Sequence, residues 1–187
     1  MTDDETAWIL LVAATEPELC GHPGLVCGIG PVEAAVTTAS ALARERPRAV
    51  LHVGVAGARR LTPGSLIIGT EAVYVDLAAA IPVVDRVAAD AGLLAAAQAA
   101  LPEAVSLPIA TSAAVSGPAA ARTHDLRVEG MEGFAVLRAC DLAGVPALEV
   151  RAISNEVGEG DRGLWMIRRG LETLDGMLPR LLAALGE

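Results

Sequence analysis

The stretch Gly24–Val55, GLVCGIGPVEAAVTTASALARERPRAVLHVGV, decides the expected fold because it joins two strand patterns through a helix pattern. Gly24–Gly30 is a short apolar run that ends in glycines, and Pro31 then stands at the first helical position, where proline is favoured. The helical apolar pattern runs to about Arg46, and Val50–Val55 is the next predicted strand. This order indicates the α/β class.

Strand and helix patterns alternate on both sides of this stretch. Strands are predicted over Trp8–Ala14, Ser65–Asp76, Leu107–Ala113, Arg127–Glu129 and Ala147–Ser154, helices over Asp85–Leu101, Gly133–Leu142 and Leu164–Leu185, and a turn at Ala56–Ala58. Such alternation is typical of α/β proteins with a largely parallel sheet. Since no repeat or linker divides the chain, we expect a single domain over residues 1–187. Its expected architecture is a three-layer α/β/α sandwich around a mostly parallel mixed sheet.

The composition restricts the partners that the protein can have. The chain has 187 residues, of which 53% are hydrophobic and 2% aromatic, and a net charge of −9 with 14 cationic residues, all arginine. An acidic protein is poorly suited to nucleic-acid backbones and anionic membranes, which attract clustered cations. The start of the chain is acidic rather than signal-like, no apolar run reaches the roughly 20 residues of a membrane span, and Cys20, Cys27 and Cys140 lack metal-ligand spacing. We expect a cytoplasmic protein that binds neither nucleic acid, membrane nor metal.

Polar and glycine-rich segments follow the predicted strands, at the edge where α/β sheets collect their ligands. They are Thr15–Glu18, Gly28–Glu33, Gly54–Gly57, Glu129–Gly133 and Ser154–Gly158. Glycines let the backbone approach a ligand closely and donate its N–H groups. Carboxylate and amide side chains at the same edge suit a polyhydroxylated ligand that also carries a heterocycle.

Three side chains at this edge have both a functional and an ordinary interpretation. Glu132 either favours the dipole of the following helix or accepts hydrogen bonds from two vicinal hydroxyls. Glu18 is either a functional carboxylate or a solvated surface acid, and Glu16 competes with it. Asn155 is either a turn or cap residue or a carboxamide that donates and accepts at the edge of a base. None of these single residues decides the function.

Two other kinds of site are disfavoured. Gly28-Ile29-Gly30 lacks the third glycine of a dinucleotide-binding turn, and no acidic residue ends the strand around His52–Val55 to hold a ribose. A Ser–His–Asp hydrolase is not supported, because Ser116 has no nucleophile-elbow frame. The histidines, which are His22, His52 and His124, more often have structural or surface roles.

Taken in order, five motifs resemble those of the nucleoside phosphorylase and nucleosidase superfamily. They are Thr15–Glu18, Gly28–Ala35, Val53–Gly57, Val128–Gly133 and Arg151–Asn155. Finer details are similar to the futalosine hydrolase family, namely the extra glycine Gly130 and the stretch Ser154–Gly158 followed by Asp161, Arg162 and Trp165. That family cleaves hypoxanthine from futalosine in a menaquinone pathway, without cofactor or metal.

The resemblance implies a role for each matching position. Glu18 takes the place of the general base that activates water, and Glu132 that of the carboxylate that holds the ribose hydroxyls, with Met131 packing against the sugar. Asn155 stands where adenine-specific nucleosidases carry an aspartate that protonates the purine. The remaining substrate-binding positions are Ala56, Gly57, Glu129 and Gly130.

Two features favour hydrolysis of a 6-oxopurine nucleoside. The neutral amide of Asn155 can donate to a 6-oxo group, which a carboxylate would repel. A phosphorylase needs cations and hydroxyls for its phosphate, and the corresponding positions here hold His52 and Val55, although Arg59 and Arg60 lie just beyond. We therefore expect an enzyme, an N-ribosyl hydrolase that acts on futalosine or a similar nucleoside.

Two shortened segments keep other functions open. Nine residues separate Glu18 from Gly28, where the family has a long hairpin. Leu77–Val84 is also short, and relatives place there a substrate-covering loop that a neighbouring subunit often completes. The alternatives are an adenine-releasing nucleosidase, a purine nucleoside phosphorylase, or a catalytically degenerate relative that binds a nucleoside. The resemblance also implies a homodimer or larger homo-oligomer.

Overall fold

The computed structural model describes residues 8–77, 79–114 and 125–186, which form one eight-stranded sheet and four α-helices. The strands are β1 Ile9–Ala13, β2 Leu25–Val26, β3 Ala49–Ala58, β4 Leu66–Tyr74, β5 Arg86–Ala88, β6 Val105–Thr111, β7 Val128–Gly130 and β8 Ala147–Glu156. The helices are α1 Pro31–Leu42, α2 Ala91–Ala100, α3 Gly133–Ala143 and α4 Ile167–Leu185, and short 3-10 helices span Glu16–Leu19 and Arg162–Leu164. The acidic start of the chain, Ser116 and His124 lie outside the described residues.

The sheet is mixed, with more parallel than antiparallel pairs. Parallel pairs join β1 to β2 and β3, β3 to β8, and β6 to β4 and β7, whereas β3–β7, β4–β5 and β4–β8 are antiparallel. The pairs β3–β8–β4–β6–β7–β3 close on themselves, so these five strands curl into a small barrel. The expected mostly parallel mixed sheet is confirmed.

Helices cover both faces of the sheet, because the strands bury side chains on both sides. Along β1, Ile9, Leu11 and Ala13 pack into one core cluster, and the intervening Leu10 and Val12 pack into another. This alternation follows from the two-residue period of a strand. The first cluster includes buried apolar side chains of α2 and α4, and the second includes buried apolar side chains of α1 and α3. The expected three-layer sandwich is therefore confirmed.

Two strands extend further than the sequence indicates. β3 continues to Ala58, so the expected turn at Ala56–Ala58 is wrong. Gly57 and Ala58 pair with β8 on one side and with β7 on the other, after a shift of register between Ala56 and Gly57. β8 likewise continues to Glu156 and includes Asn155. The extended ends of β3 and β8 help to close the barrel, and the end of β8 places the polar residues Asn155 and Glu156 at its rim. None of the described helices is long and apolar enough to cross a membrane.

The helix expected over Asp85–Leu101 begins six residues later, at Ala91. The Asp90 carboxylate accepts hydrogen bonds from the N–H groups of Gly92 and Leu93, at 2.9 and 3.0 Å, and so caps the helix. The preceding residues Arg86–Ala88 pair with β4 instead. The terminal helix is also shorter than expected, because a 3-10 helix occupies Arg162–Leu164.

Candidate active site

A cavity of about 380 Å³ opens where the ends of β1, β3, β7 and β8 meet. Its position agrees with the edge of the sheet at which α/β proteins bind their ligands. All eight residues that the sequence predicts for the site line this cavity, and they are Glu18, Ala56, Gly57, Glu129, Gly130, Met131, Glu132 and Asn155. The fold therefore brings these residues from four separate segments of the chain to one place.

Glu18 is a buried carboxylate held by three hydrogen bonds. It lies in the 3-10 helix after β1, and its side chain is 6% exposed, whereas Glu16 in the same turn points to solvent. Oε2 accepts from the N–H of Thr15 at 3.0 Å and from its hydroxyl at 2.7 Å, and Oε1 accepts from the N–H of Val55 at 3.0 Å. The interpretation of Glu18 as a solvated surface acid is therefore wrong. Oε2 therefore has both of its lone pairs occupied, and Oε1 keeps one lone pair for a ligand or a water.

Glu132 is the second buried carboxylate of the cavity, with 4% of its surface exposed. Its Oε1 accepts from the N–H of Gly30 at 3.0 Å, and its Oε2 lies 3.4 Å from Nη2 of Arg151. Gly30 has a φ of +93°, a left-handed conformation that glycine adopts without strain, so the glycine turn serves to aim this N–H. Glu132 precedes α3 but makes no capping hydrogen bond to it. Its side chain is directed to the cavity rather than to the helix.

Asn155 lies at the end of β8, with its amide beside Gly57. Its Oδ1 accepts from the hydroxyl of Ser154 at 2.7 Å, and its Nδ2 donates to the carbonyl of Glu156 at 3.0 Å. Because an amide has two N–H donors and two acceptor lone pairs, one donor and one acceptor remain for a ligand. A methyl group on Gly57 would lie 3.0 Å from Nδ2, so the glycine lets the amide pack there without being displaced.

A buried arginine, Arg151, connects the two carboxylates from behind the cavity. Its Nε donates to Oε1 of Glu149 at 2.7 Å, and its Nη2 lies 2.5 Å from Nε2 of His52 and 3.4 Å from Glu132. All of these side chains are at most 4% exposed. Arginine therefore supplies fixed donors and a positive charge between groups that face the cavity. We name Arg151, Glu149 and His52 the buried network.

The charge states in the buried network follow from burial and from neighbouring charges. Burial and the adjacent Arg151 hold the pKa of His52 well below its usual value, so the ring is neutral. Since Nδ1 of His52 lies 3.0 Å from the carbonyl of Val12, Nδ1 carries the proton and Nε2 accepts from Arg151. Burial raises the pKa of Glu149, although Arg151 opposes that shift. Burial alone would lower the pKa of Arg151, but the carboxylates of Glu149, Glu132 and Glu18 raise it.

Two glycines make room for these charged groups. A methyl group at Gly54 would overlap Nη1 of Arg151 and lie 2.7 Å from Oε1 of Glu18. A methyl group at Gly133 would overlap the carboxylate of Glu149. Gly54 inside β3 and Gly133 at the start of α3 therefore leave room for these buried charged side chains.

The segment after β8 also contributes to the wall of the cavity. Trp165 and Arg162 both line it, and the guanidinium carbon of Arg162 lies 5.3 Å from the centre of the Trp165 ring. The two arginines that the sequence suggests for binding a phosphate, Arg59 and Arg60, lie elsewhere. Neither Arg59 nor Arg60 is among the described residues that line the cavity, and Arg59 donates to the carbonyl of Leu126 at 2.8 Å.

The buried network was not predicted from the sequence. Arg151 and Glu149 are ionisable residues two apart in an otherwise apolar strand pattern, which puts them on one face of β8 and is a signal for a buried ion pair. His52 was assigned only a structural or surface role, and no pattern along the chain indicates that it meets Arg151. Arg162 and Trp165 were noted as parts of a motif but given no role.

An α/β sandwich with two fixed carboxylates and an amide in one cavity defines the class of protein as an enzyme acting on a small molecule. The family model described as the phosphorylase superfamily matches residues 18–181. The chain therefore belongs to the phosphorylase superfamily, and the resemblance predicted from its motifs is confirmed.

Individual relatives narrow the chemistry. The chain is 35% identical to a futalosine hydrolase of Streptomyces coelicolor, over 86% of this chain and 78% of that protein. Its fold is similar to the solved structures of a futalosine hydrolase of Helicobacter pylori (TM-score 0.83, 19% identity, 95% and 98% of the two chains) and of a 5′-methylthioadenosine/S-adenosylhomocysteine nucleosidase of Colwellia psychrerythraea in complex with adenine (TM-score 0.82, 21% identity, 97% and 96%). The protein is a nucleoside N-glycosidase.

Proposed function

We propose that the protein is a hydrolase that releases hypoxanthine from futalosine or a similar 6-oxopurine nucleoside. The observation that supports this most directly is the pair of buried carboxylates, Glu18 and Glu132, fixed by backbone N–H groups in one cavity. One carboxylate can then act on water while the other holds the sugar. The futalosine hydrolase of Streptomyces coelicolor supports the choice of substrate.

In the proposed reaction, Glu18 takes a proton from a water molecule whose oxygen bonds to C1′ of the ribose. The C1′–N9 bond breaks, its electron pair moves to the purine, and the purine takes up a proton from solvent, to which Glu18 afterwards releases the proton that it took from water. Positive charge develops on the sugar as the bond lengthens. The carboxylate of Glu132 stabilises that charge through the ribose hydroxyls, to which its hydrogen bonds strengthen in the transition state.

The buried network positions these groups for the reaction. Arg151 faces Glu132 and approaches Glu18 across Gly54, and it is itself held by Glu149 and His52. A carboxylate fixed in this way is already oriented when the substrate binds, which lowers the reorganisation that the reaction requires. Met131, Gly130 and Glu129 border the same cavity and are proposed to contact the substrate.

Asn155 favours a 6-oxopurine as the leaving base. Its free N–H can donate to the 6-oxo group and its free acceptor lone pair can receive the neighbouring ring N–H. A donor to the oxygen also stabilises the negative charge that the base gains on leaving. Ala56 and Gly57 lie beside this amide and are proposed to border the base.

Water is the proposed nucleophile rather than phosphate. A phosphate needs several cationic or hydroxyl donors around one point. Among the described residues that line the cavity, Arg162 is the one cation, and it lies on Trp165. A futalosine hydrolase of this kind would act in the cytoplasm, in menaquinone biosynthesis, and without a cofactor.

The test is an assay of base release from futalosine, inosine and methylthioadenosine, each with and without phosphate. We expect hypoxanthine to be released from futalosine at the same rate in both buffers. A requirement for phosphate would make the protein a phosphorylase, and release of adenine alone would make it an adenine nucleosidase. No release from any of the three would favour a nucleoside-binding protein without catalysis.

A further inference from the structure

The first turn of α3 is capped by a residue from another strand and not by its own N-cap residue. Glu132 holds the N-cap position but makes no side-chain hydrogen bond to the helix. The N–H of Phe134, the second helical residue, is one of the donors that an N-cap side chain normally satisfies. Here it donates to Oγ1 of Thr111 at 2.7 Å. Thr111 lies 23 residues earlier in the chain, at the end of β6.

Thr111 is fully buried, and neighbouring strands fix its position on both sides. It is the register partner of Tyr74 on β4 and of Gly130 on β7. Its carbonyl accepts from the N–H of Val75 at 3.1 Å. The ring of Phe134 stacks on that of Tyr74, with 5.5 Å between the ring centres. The closed barrel therefore holds the capping hydroxyl and the first turn of α3 in one arrangement.

This arrangement leaves the carboxylate of Glu132 free for the cavity. A polar side chain at the N-cap position ordinarily turns back to the first N–H groups of its own helix. With the N–H of Phe134 bonded to Thr111, the Glu132 carboxylate instead accepts from the N–H of Gly30 at 3.0 Å and lies 3.4 Å from Arg151. A cap supplied from β6 thus separates two roles that would otherwise compete for one carboxylate.

We propose that Thr111 is a positioning residue for the reaction, which keeps Glu132 directed at the ribose by capping α3 in its place. This inference rests on the proposed function, in which Glu132 accepts hydrogen bonds from the ribose hydroxyls. Thr111 does not line the cavity, so it acts through Glu132 and not by contact with the substrate. Without its hydroxyl, the N–H of Phe134 would lose its acceptor, and the N-cap carboxylate is the group placed to replace it.

The test compares the affinity for futalosine with that for its 2′-deoxy analogue, measured by calorimetry in the Glu18→Gln background, which slows hydrolysis. We expect futalosine to bind about tenfold or more tightly, as one hydrogen bond to a charged group provides. Adding Thr111→Val, which keeps the shape but not the acceptor, should reduce this preference to about twofold or less, because Glu132 then caps α3. Adding Thr111→Ser should retain the preference, because the hydroxyl remains.

Thr38→Val is the matched control. Thr38 is as fully buried as Thr111 and lies inside α1, and its hydroxyl has no hydrogen-bond partner within the described part of the chain. The same substitution there should leave the preference for futalosine unchanged. A loss as large as in Thr111→Val would attribute the effect to any buried hydroxyl and overturn the inference. An unchanged preference in Thr111→Val, even with lower thermal stability, would make the cap purely structural and would also overturn it.

Folding and catalysis can each be separated from the positioning role. If Thr111→Val does not fold, Thr111→Cys replaces it, since a thiol is only a weak acceptor, and equal preference in Thr111→Cys and Thr111→Ser would overturn the inference. Equal affinity for the two compounds with Thr111 in place would overturn it as well, even if the wild-type protein releases hypoxanthine from futalosine. A Thr111-dependent preference in a protein that releases no hypoxanthine would support the positioning role and overturn the proposed hydrolysis.

Discussion

The positive charge of Arg151 is completely buried. It is surrounded by the carboxylates of Glu149, Glu132 and Glu18 and by the neutral ring of His52. The Arg151 guanidinium lies behind the cavity surface, where it contacts Glu132 and approaches Glu18 beside Gly54. A buried charge is costly unless it is paired and hydrogen-bonded, and here Glu149 and His52 supply those contacts. The precision of the site therefore depends on residues that a substrate does not touch.

His52 should make the stability of the protein depend on pH. The histidine takes up a proton in the unfolded chain near its ordinary pKa of about 6.5, but not in the folded protein, where burial and Arg151 lower its pKa. The unfolded state then binds more protons below that pH, so the free energy of unfolding decreases as pH falls from 7 to 5, by at most about 1.4 kcal/mol per pH unit from this group.

Urea denaturation of the wild-type protein and of His52→Gln at pH 7, 6 and 5 checks this expectation. Glutamine keeps an acceptor for Arg151 but does not titrate. We expect a smaller decrease of the free energy of unfolding in the variant over this range. Equal slopes for the two proteins would contradict the neutral, hydrogen-bonded histidine.

The residues of the site differed in how far they could be predicted. Glu18, Glu132 and Asn155 stand in motifs at strand ends, and ordered motifs are visible along a chain. The contacts of Arg151 with His52 join residues 99 apart in sequence and depend on the register of two strands. That register follows from packing of the whole sheet, so no local pattern could have indicated the pair.

At the scale of single elements, glycines in helices and strands leave room for buried charged side chains to pack against the backbone. Gly133 begins α3, where an added methyl group would overlap the carboxylate of Glu149. Gly176 lies inside α4, and no heavy atom would come within 4 Å of a methyl group there. The two positions form a matched pair for substitution by alanine.

We expect Gly133→Ala to lower the free energy of unfolding by about 1–3 kcal/mol, since the buried network must move, and to lower kcat as well. Gly176→Ala should instead raise the free energy of unfolding by about 0.5–1 kcal/mol, because alanine favours a helix. Chemical denaturation measures both. A neutral effect of Gly133→Ala would mean that Glu149 is not confined as described.

Element boundaries could be predicted less well than element types. The Ala-rich pattern before α2 does not reveal that Asp90 begins the helix and that Arg86–Ala88 pairs with β4. The sequence of Ala56–Ala58 resembles a turn because small residues are common in turns. In the barrel, small residues are needed at these positions for a different reason. The side chains of Ala56 and Ala58 pack inside it, against Ile67, Ile109 and Ile153.

At the scale of the whole molecule, the order of strands and helices was sufficient to predict the layered architecture. The closure of five strands into a barrel was not predictable, because it depends on β8 pairing with both β3 and β4, which are far from it in sequence.

The exterior of the fold has exposed apolar side chains at the start of α1 and just before it. Ile29, Val32 and Val36 are 62%, 72% and 65% exposed, and the two valines lie on one face of α1.

These exposed apolar side chains support the prediction of a homodimer or larger homo-oligomer, because soluble proteins seldom leave such patches uncovered. Sedimentation measurements should find the protein larger than a monomer. Val36→Glu should shift the distribution towards the monomer, whereas Glu33→Gln, on the same helix, should not. A wild-type protein that sediments as a monomer at all concentrations would contradict the prediction.

The most direct test of the account is the hydrolysis of futalosine by Glu18→Gln, with Glu16→Gln as its control. Both residues lie in the turn after β1, but Glu18 lines the cavity and Glu16 is exposed. We expect Glu18→Gln to lose about 100-fold or more of kcat, as removal of a general base does, and to bind the substrate with affinity close to that of the wild type. Glu16→Gln should have wild-type kcat. Normal turnover by Glu18→Gln would contradict the proposed mechanism.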